Sequence, residues 1–207
     1  MQVSDPFQTV AFLLILIMSV IVHEVTHGYV AEMLGDPTAK LSGRLTLNPF
    51  SHLDLVGSFI VPLFMMLAGG PVFGWAKLVP YNPYNLRGGR WGPAMVAIAG
   101  PLSNLFLATF FSQLFIYKVF DTAGANNLLV GAIFINLVLF VVNMMPVPPI
   151  DGSKIIFALI PDRFYFVVET IEKYSLVFIL ILILFIDAIL SPAVNLLFYT
   201  LTSIKFL

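Results

Sequence analysis

The stretch Ala94–Ile116 carries no charged side chain, and no other feature of the sequence constrains the fold as much. A helix crosses the roughly 30 Å hydrocarbon core of a bilayer with about 20 mostly apolar residues, and this run is long enough. Leu128–Met145 is a second such run, with Asn136 and Asn143 as its polar members. Phe7–Leu34 is a third, almost wholly apolar through Val22 and then interrupted by His23, Glu24, His27 and Glu32. Only 10% of the residues are charged and 59% are hydrophobic, against about 25% charged in soluble domains. So few charges cannot cover a water-facing surface, and the mean hydropathy of +0.99 agrees. The chain reads as an all-α polytopic membrane protein.

Two further runs, Ser175–Leu190 and Ala193–Ile204, are separated by Ser191-Pro192. They predict a closing helical hairpin over about 175–206 and bring the expected count to about five transmembrane helices. The segment 57–70 is short and interrupted by Pro62, and apolar stretches of about 10–14 residues are more often re-entrant than spanning. The flanking segments 35–56 and 71–93 are rich in Gly, Pro and Asn and read as loops. Partial alternation in TAKLSGRLTLN suggests a small β-hairpin at 38–48. With no internal repeat, the chain is expected to be one domain over 1–207, its core within about 7–160. Nothing positive precedes the first apolar run and no small-residue cleavage site follows it, so it is expected to be a structural helix, not a signal peptide.

Charge sets orientation. If 57–70 does not cross, nine of the ten Lys and Arg residues lie on one side of the membrane, with Lys118 alone opposite. Positive residues mark the cytoplasmic side, so the expected location is the cell membrane with that face inward. No basic run suggests nucleic acid, and the absence of cysteine excludes disulfides, thiolate metal sites and cysteine nucleophiles.

His23-Glu24-Val25-Thr26-His27 fits H-E-x-x-H. Residues four apart share a helix face, so both imidazoles can reach one ion, with Glu24 beside them as general base for a water. His23 lies roughly 24 Å along the first helix at about 1.5 Å per residue, within or near the hydrocarbon core. Ionisable groups at that depth are costly and mark function; a metal offsets the cost. Two imidazoles and one carboxylate suit zinc and leave a fourth position open, although such ligands alone accept several divalent metals.

The third ligand has to come from the same side. Asp151 follows the Leu128–Met145 span in NMMPVPPIDG. Pro146, Pro148 and Pro149 break the helix, and Gly152 is expected to let the chain turn after the acid. Two crossings after the 71–93 loop return Asp151 to the side of His27. Asn104, after Gly100-Pro101, either hydrogen-bonds to the site and its supports or holds helices together. His52 is a lone loop histidine, for which an ordinary role is commoner than a substrate or second-metal contact.

HEVTHG in a first apolar helix, with N-x-x-P-x-x-P-x-D-G from Asn143 to Gly152, resembles the site-2 protease family of intramembrane metalloproteases. The stretches NPFSHLDLVGS, GPVFGWAKLVPYNP and AGPLSN look like those of short bacterial members without a PDZ or CBS domain. The resemblance implies one zinc ion on His23, His27 and Asp151, with Glu24 as the catalytic glutamate. It implies that Asn143 lies near the scissile peptide, where Asn104 is a further candidate. It also implies a transmembrane protein as substrate and regulated intramembrane proteolysis, with the usual gating either missing or supplied by a separate gating or adaptor protein. Two other classes compete. A metal transporter should show polar residues in several spans and often a repeat; an inactive helix-binding scaffold need not keep HEVTH.

Overall fold

A computed structural model describes residues 6–54, 60–67 and 77–204. Its helices are α1 (Pro6–Met33), α2 (Thr38–Leu41), α3 (Val61–Leu67), α4 (Trp91–Ile116), α5 (Ala123–Asn143), α6 (Asp151–Leu159), α7 (Tyr165–Lys173) and α8 (Ser175–Thr202). There is no strand among the described residues. Among the described residues, four helices are long and apolar enough to cross a membrane: α1, α4, α5 and α8. The protein is thus an all-α polytopic membrane protein. Its outward faces, such as Leu13 and Leu14 on α1 and Phe106 on α4, are exposed and apolar, as lipid-facing surfaces are.

Two expectations are corrected. The closing hairpin is one helix of 28 residues with Pro192 inside it. In hydrocarbon, a break would leave several backbone groups without partners. An unbroken helix around one proline leaves far fewer, so one long helix stands where a hairpin was expected. The β-hairpin at 38–48 is instead a turn of helix. The Asp36 carboxylate accepts from Thr38 N at 3.3 Å and Thr38 Oγ1 at 2.6 Å and so starts the turn. Gly43, at φ 66°, ends it, with Gly43 N donating to Lys40 O and Arg44 N to Ala39 O. That is the usual left-handed helix stop. Of the segment 57–70, only 60–67 is described. The described helix, Val61–Leu67, accounts for seven residues and about 10 Å of rise.

The arrangement of α1, α4 and α5 positions everything else. His27 meets Val96 and His23 meets Asn104, so α1 and α4 run antiparallel. Ser19 meets Asn136, and the Phe12 ring packs on Gly131, so α1 and α5 run parallel. The end of α1, the start of α4 and the end of α5 therefore share one side of the bundle. Whatever path the chain takes between α1 and α4, it returns to the side it left. On the far flank, Val194 and Phe198 of α8 pack on Ala108, Ile133 and Leu137 to form the apolar core.

A cap locks the site-bearing end of α1. Gly35 (φ 105°) stops the helix, and the fully buried Asp36 follows. Its carboxylate accepts from Asn82 N (2.6 Å) and Asn85 Nδ2 (2.8 Å) as well as Thr38. One side chain thus ties α1 to α2 and to the loop before α4.

Candidate metal centre

His23 and His27 are both buried on the inner face of α1. Their Nε2 atoms are 3.0 Å apart. Asp151, the first residue of α6, places Oδ2 3.1 Å from His23 Nε2 and 3.2 Å from His27 Nε2. These three are the one group of metal-capable side chains that converges among the described residues. His27 Nδ1 lies 2.7 Å from the carbonyl of Val96, which can only accept, so Nδ1 carries the proton. Its Nε2 lone pair then points at a carboxylate oxygen and at a second imidazole nitrogen. Acceptors do not crowd within about 3 Å of one another unless a proton or a cation lies between them. Tetrahedral zinc with ligands at about 2.0–2.1 Å needs ligand atoms roughly 3.3 Å apart. The observed spacings suit that ion, and the donor set is of the right chemistry.

Asp151 owes its position to a close approach. Gly152 has an ordinary helical φ and is not among the left-handed glycines. A Cβ there would meet the backbone oxygens of Met144 and Met145. The glycine is needed because the start of α6 packs against the chain leaving α5, not because it makes a left-handed turn.

A cavity of about 270 Å³ opens on these atoms. Glu24, Tyr81, Asn143 and Lys154 line it with the histidines and Asp151. Glu24 accepts a 3.0 Å hydrogen bond from the backbone N–H of Val79, which fixes one carboxylate oxygen. Val79 lies in a segment with no regular secondary structure; two residues earlier, Lys77 N donates to His52 O at 2.9 Å. Burial pushes the Tyr81 hydroxyl up, so it stays protonated and able to donate. Lys154 pairs with Glu172 of α7, tying the cavity wall to that helix. Asn143 lines the cavity while its Nδ2 donates back to Leu139 O at 2.9 Å.

Asn104 does not line the cavity. It is fully buried behind His23, with Oδ1 2.6 Å from His23 Nδ1. It stands near the middle of α4, on the face that packs against α1. His52 does not line the cavity. It is buried and directs Nε2 at Thr46 O, 2.8 Å away. Sequence reasoning missed Ser19, Gly100 and Val79. Ser19 and Gly100 are small residues in apolar runs, and Val79 acts through its backbone, so none carries a chemical signal of its own.

An H-E-x-x-H pair with a distant carboxylate, set in membrane helices at a polar cavity, defines a membrane metalloprotease. Comparison with known proteins agrees. The profile of peptidase family M50 matches residues 117–186, which include Asn143 and Asp151. The chain is 38% identical over 205 residues to YwhC of Bacillus subtilis, named as a candidate zinc metalloprotease, covering 92% of this chain and 89% of that one. It is 30% identical over 141 residues to Rip2 of Mycolicibacterium smegmatis, also named as a candidate zinc metalloprotease, covering 66% of this chain and 52% of the relative. For Rip2 of Mycobacterium tuberculosis the identity is 25% over 171 residues, with 81% and 64% covered. No solved structure matches the chain. The protein belongs to peptidase family M50, the site-2 protease family, and is a zinc metalloprotease.

Proposed function

We propose that the protein is an intramembrane endopeptidase that hydrolyses peptide bonds in or near transmembrane segments of other proteins, in regulated intramembrane proteolysis. One zinc ion is held by His23, His27 and Asp151. The observation that carries this reading is the convergence of their three acceptor atoms within 3.0–3.2 Å at the wall of the cavity that Glu24 also lines.

When bound, zinc supplies the Lewis acidity that acidifies water and polarises a scissile carbonyl. The chain supplies the rest. Glu24 takes a proton from the attacking water on its carboxylate and gives it to the departing amine. The Val79 N–H keeps that carboxylate aimed while the proton is on or off. Asn143 and Tyr81 line the cavity and carry N–H and O–H groups, the kind of donor that a developing oxyanion needs. The burial of His23 and His27 keeps bulk water from competing for the site.

The site opens toward the cytoplasmic face of the cell membrane. Supporting this, α1 ends, α4 starts and α5 ends on one side, and the segments adjoining those ends carry Lys40, Arg44, Arg87, Arg90 and Lys154. A transmembrane substrate must unwind there to expose a peptide bond. The whole chain acts as one domain, with a separate adaptor protein governing access. Membrane proteomes of cells bearing the native protein or Glu24→Gln test the reading. A membrane-protein fragment seen only with the native form supports it; identical fragment patterns would overturn it.

A further inference from the structure

Behind His23 lies a chain of buried polar groups that the chemistry above does not use. Ser19, Asn104 and Asn136 come from α1, α4 and α5, and at most 3% of any of them is exposed. Asn104 Nδ2 donates to Ser19 O at 3.3 Å and to Asn136 Oδ1 at 3.1 Å. Asn136 Nδ2 donates to Ser19 Oγ at 3.0 Å and to Ala132 O at 2.9 Å. Asn104 Oδ1 faces His23 Nδ1 at 2.6 Å.

The two ends of this chain are not equivalent. Ser19 O and Ala132 O are backbone carbonyls and can only accept. Turning the Asn136 amide over would set its oxygen against Ala132 O. Turning Asn104 over would set its oxygen against Ser19 O. Each flip places two acceptors together without a hydrogen in a buried site, which costs about 1–3 kcal/mol per unsatisfied group. Both amides therefore have one satisfiable orientation, and it leaves only an acceptor, Asn104 Oδ1, facing His23. The imidazole must answer with Nδ1–H.

We propose that Asn104 and Asn136 are positioning residues that fix His23 as the Nδ1–H tautomer, so that its Nε2 lone pair faces the metal. His27 receives the same instruction from the Val96 carbonyl. The two ligands are thus set by different means, one by backbone and one by side chains, and only the second can be removed by substitution. Partners of this kind around a ligating histidine are worth about 10–100-fold in metal affinity. The inference rests on reading His23 as a metal ligand, but its first test needs no metal.

The chain has three histidines, so ¹⁵N-histidine NMR of the metal-free protein at mildly alkaline pH resolves each tautomer. His23 is expected as Nδ1–H. In Asn104→Leu the Nε2–H form should appear, and zinc affinity, read by competition with a chelating dye, should fall about 10–100-fold. Asn104→Asp, which keeps an acceptor on Nδ1–H, should retain both. Asn136→Ala, which leaves Asn104 in place, should give a mixed tautomer and a smaller loss. An Nε2–H His23 in the wild-type protein would overturn the proposal without any variant. So would Asn104→Leu with unchanged tautomer and affinity. If instead His23→Ala bound zinc as well as wild type, the reading of His23 as a ligand would fail, whatever its tautomer.

Discussion

Gly100 backs directly onto His27. A methyl group at residue 100 would sit on the imidazole, 2.5 Å from Cε1, and also 2.6 Å from His23 Nε2. The glycine of α4 is therefore a wall of the candidate metal site, made of the absence of a side chain. Alanine is the better helix former by about 1 kcal/mol, so Gly100→Ala should fold well. It should nevertheless displace both rings and lose roughly 100-fold in proteolysis, as displacements of about 1 Å do. Zinc content and thermal unfolding of purified Gly100→Ala check this together. Normal zinc and normal activity would show that the rings have room the geometry denies them.

Glu24 is aimed by a backbone group. Val79→Pro removes the N–H that it accepts from, whereas Val79→Ala keeps it. General-base contributions run to about 10²–10⁴-fold, and a misaimed carboxylate forfeits part of that. Val79→Pro should lose at least about tenfold in turnover with zinc retained, and Val79→Ala should lose little. Parallel cleavage and metal measurements on both variants decide the matter; equal activity would free Glu24 from this contact.

Asp36 predicts a pH dependence of stability. Burial pushes its carboxyl up, but the hydrogen bonds from Thr38, Asn85 and Asn82 outweigh that and hold it below its ordinary value. A group lowered on folding stabilises the fold above its unfolded value of about 3.9. That stability fades as pH falls through the folded value. Asp36→Ala should cost about 2–3 kcal/mol at pH 7, the scale of hydrogen bonds to a charged group. The gap between wild type and variant should narrow on acidification below about pH 4. Thermal unfolding in detergent at both pH values measures it, and a gap that widened in acid would reverse the sign argued here.

Much of this was legible in the sequence because the bilayer is an exacting solvent. Charge-free runs such as Ala94–Ile116 can hardly be anything but membrane helices, and α4 covers that run. The parity of crossings that sends Asp151 back toward His27 agrees with the directions of α1, α4 and α5. What was not legible depends on neighbours. Pro192 looks like a break in one dimension, but breaking α8 in lipid would cost more than bending around it. The TAKLSGRLTLN stretch alternates like a strand, yet Asp36 and Gly43 close it into a helical turn. Asn104 was visible as a polar residue in an apolar run. That it stands behind His23 and not beside a substrate follows only from which face of α4 meets α1. Gly100 carries no signal at all until a side chain is imagined on it.

The most direct test of zinc-dependent proteolysis compares purified wild type with Glu24→Gln on a membrane-embedded reporter, zinc content being measured in the same samples. Wild type should carry about one zinc per chain, as a single set of three ligands allows, and cleave the reporter. Glu24→Gln should carry the same zinc and not cleave. Undiminished cleavage by Glu24→Gln, or cleavage by a wild-type protein stripped of metal, would contradict the account.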